Sequence, residues 1–130
     1  MFEHAAIRIA RPCTNLEIAE RFYVRGLGFA VLARVAGEGR DEHDLVMVGA
    51  PGAAWHIELV GGPNLSVTPT PTAEDLLILY LDAPVDPAVI ARIEEAGGRV
   101  VSQGKYWDEW GVTVEDPDGY RLVLSTRGWD

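Results

Sequence analysis

The amino-acid sequence predicts an α+β domain made of two βαβββ modules. Three observations predict it. Short apolar stretches alternate as strands do. One helical, amphipathic stretch follows the first strand of each half. A glycine-then-strand step follows each helix, GLGFAVL at 26–32 and AGGRVVS at 96–102. Such an internal repeat gives each half one helix covering one sheet face, so the opposite face must meet another sheet or line a cavity.

Residues 5–10, AAIRIA, alternate as a strand with one buried face, and the Arg11-Pro12 step is expected to close it. Thr14 and Glu17 have capping-box spacing, and Leu16, Ala19, Phe22, Tyr23 and Leu27 recur near helical period, which predicts a helix over 15–25. Gly26 and Gly28 stop it. FAVLARVA at 29–36 reads as a strand ended by the polar segment GEGRDEHD at 37–44. LVMVGA and AWHIELV follow on either side of Pro51-Gly52.

The segment GGPNLSVTPTPT at 61–72 disfavours regular structure and divides the chain nearly in half. Module one is read as 1–61, the connector as 62–73 and module two as 74–130. The second half opens with DLLILYLDA, a strand. Asp86 and Pro87 then supply an N-cap and an N1 proline for a helix whose stripe is Val89, Ile90, Ile93 and Ala96. Gly97-Gly98 end it. RVVSQ, GVTVE and YRLVLST read as three more strands, the last two joined by the turn Asp116-Pro117-Asp118-Gly119.

Composition narrows function before any motif is weighed. At 130 residues, 48% hydrophobic and 24% charged, the chain suits one soluble globular domain. No apolar run reaches the roughly 20 residues of a membrane span, and the first residues lack a basic stretch followed by an apolar one, so a cytoplasmic location is expected. Cys13 has no partner for an internal disulfide. A net charge of -9 repels nucleic acid and anionic membranes, while leaving a cationic small molecule compatible.

The residues His4-Ala5-Ala6-Ile7-Arg8-Ile9, Arg21-Phe22-Tyr23 through Gly26-Leu27-Gly28-Phe29, His56-Ile57-Glu58-Leu59 and Glu115-Asp116-Pro117-Asp118-Gly119-Tyr120, in this order and spacing, resemble the vicinal oxygen chelate superfamily. That superfamily includes glyoxalase I, bleomycin resistance proteins and extradiol dioxygenases. The resemblance covers nearly the whole chain and implies the glyoxalase/bleomycin resistance fold, in which the mixed sheets of the two modules curl into a shared cup, a ligand held at the bottom of that cup, and a homodimer. Metal-using members draw ligands from the first and last strands of both modules. His4 and Glu58 fall at two such positions and suit a divalent cation such as Zn, Ni, Mn or Fe. The matching positions in module two are Leu76 and Val123, which cannot ligate. Asp75 would become a third ligand if the register shifted by one residue.

Strand alternation places His4, Ala6 and Arg8 on one face. Arg8 then points into the cup, either anchoring a ligand anion or pairing with Glu58. His56 shares parity with Glu58 and reads as a wall or rim residue. Tyr80 accompanies Leu76 and Ile78, and Arg121 accompanies Val123, giving an apolar wall with a few polar groups. Trp107 and Trp110 either stack on an aromatic ligand or close the core or a subunit contact. Trp55 and Trp129 read as packing. For catalysis, Glu58 is the best general base and His4 its best partner, because an apolar cup raises a carboxylate's pKa.

Two functions follow. In one, a cup with an incomplete metal site and no cofactor binds and sequesters an aromatic or cationic compound. In the other, a metal held by His4, Glu58 and Asp75 supports a glyoxalase-like lyase, an isomerase or a dioxygenase acting on vicinal oxygens.

Overall fold

The computed structural model describes residues 1–39 and 42–130. The predicted polar segment 37–44 is therefore seen only in part, with Arg40 and Asp41 outside the described residues. Module one contains β1 (Ile7–Pro12), α1 (Leu16–Arg21) continued by a π-helical turn (Phe22–Gly26), β2 (Ala30–Val35), β3 (Asp44–Gly49) and β4 (Trp55–Gly61). Module two contains β5 (Leu76–Tyr80), α2 (Pro87–Glu95), β6 (Arg99–Val101), α3 (Lys105–Glu109), β7 (Gly111–Glu115) and β8 (Arg121–Ser125). The sheets run β1-β4-β3-β2 and β5-β8-β7-β6. In each, the first strand lies parallel to the last and the other pairs are antiparallel, so the repeat read in the sequence is present in space.

Three local departures from the sequence reading have physical causes. β1 runs through Pro12, which pairs with Val60. It is an edge strand, and the bonds to β4 come from alternate residues such as Ile7 and Cys13, so the N–H that proline lacks would have faced away from the ladder. The α1 cap is Asn15, whose side chain accepts from the Ile18 N–H at 3.1 Å, whereas the Thr14 N–H donates to Asp118. The helix then widens, with the Leu27 N–H reaching back five residues to the Phe22 carbonyl at 3.0 Å. This turn carries Phe22 and Tyr23, both buried to within 1%. In module two the Asp86 cap forms as read, accepting from Ala88 N–H at 2.9 Å.

One apolar cluster joins the modules. Phe22 and Tyr23 from the π turn, Ile57 and Leu59 from β4, Ile93 from α2, and Val114, Leu122 and Leu124 from β7 and β8 belong to it. Each such fully buried side chain contributes roughly 1.5–3 kcal/mol over exposure. A buried polar tie crosses the same boundary. Tyr23 Oη donates to Asp116 Oδ2 at 2.7 Å, while Asp116 Oδ1 accepts from the N–H groups of Asp118 and Tyr120. Burial raises the Asp116 carboxyl above its usual range, although the Tyr23 hydroxyl and the turn amides pull it down. Burial and the neighbouring carboxylate push the Tyr23 phenol well above its ordinary value.

Candidate functional site

The parallel register of β1 on β4 decides which polar groups meet. Arg8 lies opposite His56, and Ala10 lies opposite Glu58. Ile57 and Leu59 enter the core, so His56 and Glu58 occupy the opposite face with Arg8. Arg8 Nε donates to His56 Nε2 at 3.0 Å, and Arg8 Nη1 approaches Glu58 Oε1 at 3.4 Å. Accepting at Nε2 assigns the neutral imidazole its proton on Nδ1. The Glu58 side chain is 15% exposed and that of Arg8 is 51% exposed, so the pair stands at the rim of solvent.

The expected pairing of Glu58 with His4 is not what the structure assembles. His4 sits in a turn three residues before β1 begins, while Glu58 is level with Ala10. Nor does Asp75 turn inward. It precedes β5, fully exposed, and its carboxylate accepts from the Thr72 N–H at 2.7 Å, which holds its pKa below the ordinary value. Among the described residues, no group of three or more His, Cys, Asp or Glu is placed to hold a metal ion. The donor set His4, Glu58 and Asp75 therefore does not fit a divalent cation. Glu58 lies beside a guanidinium rather than in apolar surroundings, and Leu76 and Val123 offer no ligand.

In module two the corresponding face carries a second set of charges. Arg121 Nε donates to Glu115 Oε2 at 3.0 Å and Nη1 to Gln103 Oε1 at 2.9 Å; Arg99 also pairs with Glu115. Burial works to raise the Glu115 pKa, but the two arginines outweigh it and hold the carboxyl below its usual range. In the sequence Glu115 stands only as part of a motif that carries the resemblance, not as a site residue. Its parity with Thr113 in β7, opposite Arg121 in β8, is the pattern that would have found it.

The aromatic candidates separate. The segment read as loop-to-strand contains α3, held by Asp108, whose carboxylate accepts from Ser102 Oγ and from the Gln103 N–H. Trp107 lies half-buried in α3, edge-on to Tyr106 with ring centroids 5.0 Å apart. Trp110 is exposed, with the Arg127 guanidinium 4.9 Å above its ring. Tyr80 ends β5, and its ring lies 5.6 Å from that of Trp129. Trp129, read as packing, is 80% exposed. Trp55 does pack, edge-on to Phe29.

Two βαβββ units, each with its first strand parallel to its last, define a protein of the glyoxalase/bleomycin resistance fold within the vicinal oxygen chelate superfamily. The YycE-like N-terminal domain family matches residues 7–60, and the YycE-like C-terminal domain family matches residues 74–126. YycE of Bacillus subtilis is 38% identical over 131 residues, spanning 98% of this chain and 92% of that protein. The chain belongs to the YycE-like family.

Solved structures agree. The crystal structure of Bacillus subtilis YycE superposes with a TM-score of 0.83 at 32% identity, covering 98% of this chain and 93% of the other. TnmS3, an antibiotic-binding protein from Streptomyces sp. CB03234, gives 0.62 at 28% identity over 95% and 94%. Glyoxalase I of Leishmania major, at 18% identity and a TM-score of 0.71 over 92% and 84%, shares the fold. No helix among the described residues is long and apolar enough to cross a membrane.

Proposed function

We propose that this chain is a cytoplasmic small-molecule-binding protein that captures an aromatic or cationic compound on the cup faces of its sheets and requires no metal to do so. The observation that carries this reading is the state of the polar groups in the module-one face. Glu58, the expected metal ligand on this face, and its neighbour His56 are both engaged by Arg8. What remains is a hydrogen-bonding floor with apolar flanks, which suits recognition of an organic molecule by shape and a few directed bonds. The antibiotic-binding relative with the same fold supports this direction.

The binding form is a homodimer. The faces carrying Arg8 and Arg121 both lie opposite the residues of the shared core, and no hydrogen bond or ion pair among the described residues links one face to the other. A closed cup then calls for a sheet from a second copy.

The test is a titration of uncharged and cationic aromatic compounds, followed by tryptophan fluorescence, on the unaltered protein, Arg8→Ala and Glu58→Gln. A parallel series uses Zn, Ni, Mn and Fe. Compound binding that weakens in both variants, without stoichiometric metal uptake, is the expected result. Stoichiometric metal binding that disappears in Glu58→Gln would overturn it in favour of a metal-dependent lyase or dioxygenase.

A further inference from the structure

The residues following β8 build a second aromatic feature that the Arg8 site does not use. The Leu81 and Asp82 N–H groups donate to the carbonyls of Ser125 and Arg127, at 2.9 and 3.0 Å, so the chain beyond β8 stays zipped to the end of β5. Gly128 then passes against Asp82: a methyl group built on it would lie 3.3 Å from the Asp82 carboxyl carbon. This close passage brings Trp129 over Tyr80. The two rings are 5.6 Å apart and tilted by 59°, a packed aromatic pair whose outer faces stay exposed. A hollow of about 610 Å³ lies there, lined by Tyr80, Asp82, Arg127, Gly128, Trp129 and Asp130.

Two features of this hollow point to an occupant. The first is exposed aromatic area: Trp129 is 80% exposed and Tyr80 39%, with Trp110 at 38% beyond Arg127. Large aromatic surface gathered at one place and left in water marks a binding surface. The second is charge. Asp82 and Asp130 line the hollow, and neither has an ion-pair partner among the described residues. Among the lining residues the cation is Arg127, which stacks on Trp110 and donates to Tyr106 Oη at 3.3 Å, so two carboxylates face one guanidinium and the balance stays negative. Two aromatic rings beside two carboxylates favour a flat ring that carries positive charge.

We propose that Tyr80, Trp129, Asp82 and Asp130 form a subsite for a planar aromatic cation, at the outer end of the module-two face. The inference rests on the small-molecule reading above and assigns it a ligand class. Tyr80 shares strand parity with Leu76 and Ile78, so a ligand seated against the pair adjoins that wall.

The probe is proflavine, a planar aromatic cation, titrated by its own fluorescence anisotropy. Spermidine serves as a cation without rings and anilinonaphthalene sulfonate as an aromatic anion. Trp129→Ala removes a largely solvent-exposed side chain, so the fold should survive. Asp82 has a positive φ of 52°, a conformation asparagine also tolerates, so Asp82→Asn removes charge without changing the backbone.

Proflavine should bind more tightly than either comparison compound. Trp129→Ala should weaken it by roughly three- to tenfold. Asp82→Asn should weaken it less and flatten its salt dependence. Arg8→Ala, which acts on the module-one face, should weaken it less than Trp129→Ala does. Binding lost in Arg8→Ala but kept in Trp129→Ala would overturn this subsite while leaving the small-molecule reading intact. Absence of proflavine binding, or a Trp129→Ala variant that alters only the sedimentation of the dimer, would overturn the subsite as well. The compound titration described above decides the broader reading independently.

Discussion

Replacing Tyr23 by phenylalanine removes one hydroxyl and tests how the two modules are held. The ring stays, with its T-shaped contact on Phe22 at 4.8 Å, so the packing term is nearly unchanged. What is lost is the 2.7 Å bond to Asp116 Oδ2, at a place where Tyr23 is 1% and Asp116 6% exposed. A buried hydrogen bond to a charged acceptor is worth about 1.5–3 kcal/mol, and removing the donor leaves a buried carboxylate oxygen without that partner. An expected loss near ~2 kcal/mol lowers Tm by roughly 6–10 °C for a domain of this size.

The penalty also depends on pH, with a definite sign. The folded pKa of Asp116 is raised, so its contribution is fully present below its unfolded value and is lost as pH rises through the folded one. Ionised Asp116 is thus a buried cost that the Tyr23 hydroxyl offsets. The folded pKa of Tyr23 is raised too, so its contribution is intact below about pH 10 and is lost as the unfolded phenol begins to ionise. The stability gap between the unaltered protein and Tyr23→Phe should therefore be widest between the Asp116 titration and about pH 10, and narrow on both sides. Urea denaturation at a series of pH values measures it. A gap below about 0.5 kcal/mol, or one flat from acid to alkali, would refute the argument.

Three other outcomes are expected. Asn15→Ala should cost about 1 kcal/mol in thermal denaturation while Thr14→Ala costs little through capping, since only Asn15 satisfies the Ile18 N–H. Gly98→Ala should destabilise by more than 2 kcal/mol or fail to accumulate as folded protein, because the added methyl would lie 2.6 Å from both Phe22 Cε2 and Ile93 Cγ2 in the core. Cys13 should resist iodoacetamide at pH 8 until urea unfolds the chain: it is 4% exposed, and burial, with Asp118 and Asp116 nearby, pushes its thiol up to about 12.

The elements that the sequence disclosed are those set by nearby residues. Asp86-Pro87 opening α2 and the Asp-Pro-Asp-Gly turn carry their geometry in their own side chains, and the duplicated order of strands and helices followed from period and punctuation. Less was visible where tertiary contacts decide. The π turn exists because Phe22 and Tyr23 both enter the core, and no local preference announces that. α3 depends on Asp108 reaching back to Ser102 and Gln103, a bond hidden in a segment that reads as a loop.

The same limit governs the site. Strand parity grouped Arg8, His56 and Glu58, but parity does not fix how far one parallel strand slides along another. That slide sets Glu58 level with Ala10 and leaves His4 behind in a turn. Trp129 reads as packing in the sequence because its surroundings are made by Gly128 crossing Asp82, a contact between positions far apart in sequence.

The Tyr23–Asp116 bond also gives the duplicated chain a direction. Counted from the helix caps Asn15 and Asp86, Phe22 corresponds to Ile93, both fully buried, but Tyr23 corresponds to Glu94, which is exposed. Counted from the strand ends Gly49 and Glu115, Asp116 corresponds to Ala50, also exposed. The hydroxyl is supplied only by the first half and the carboxylate only by the second. A tandem of two first halves would bury phenols without acceptors, and a tandem of two second halves would bury carboxylates without donors. The halves resemble each other in outline yet are complementary parts, and any attempt to rebuild this domain as a symmetric repeat must first replace that one-way bond.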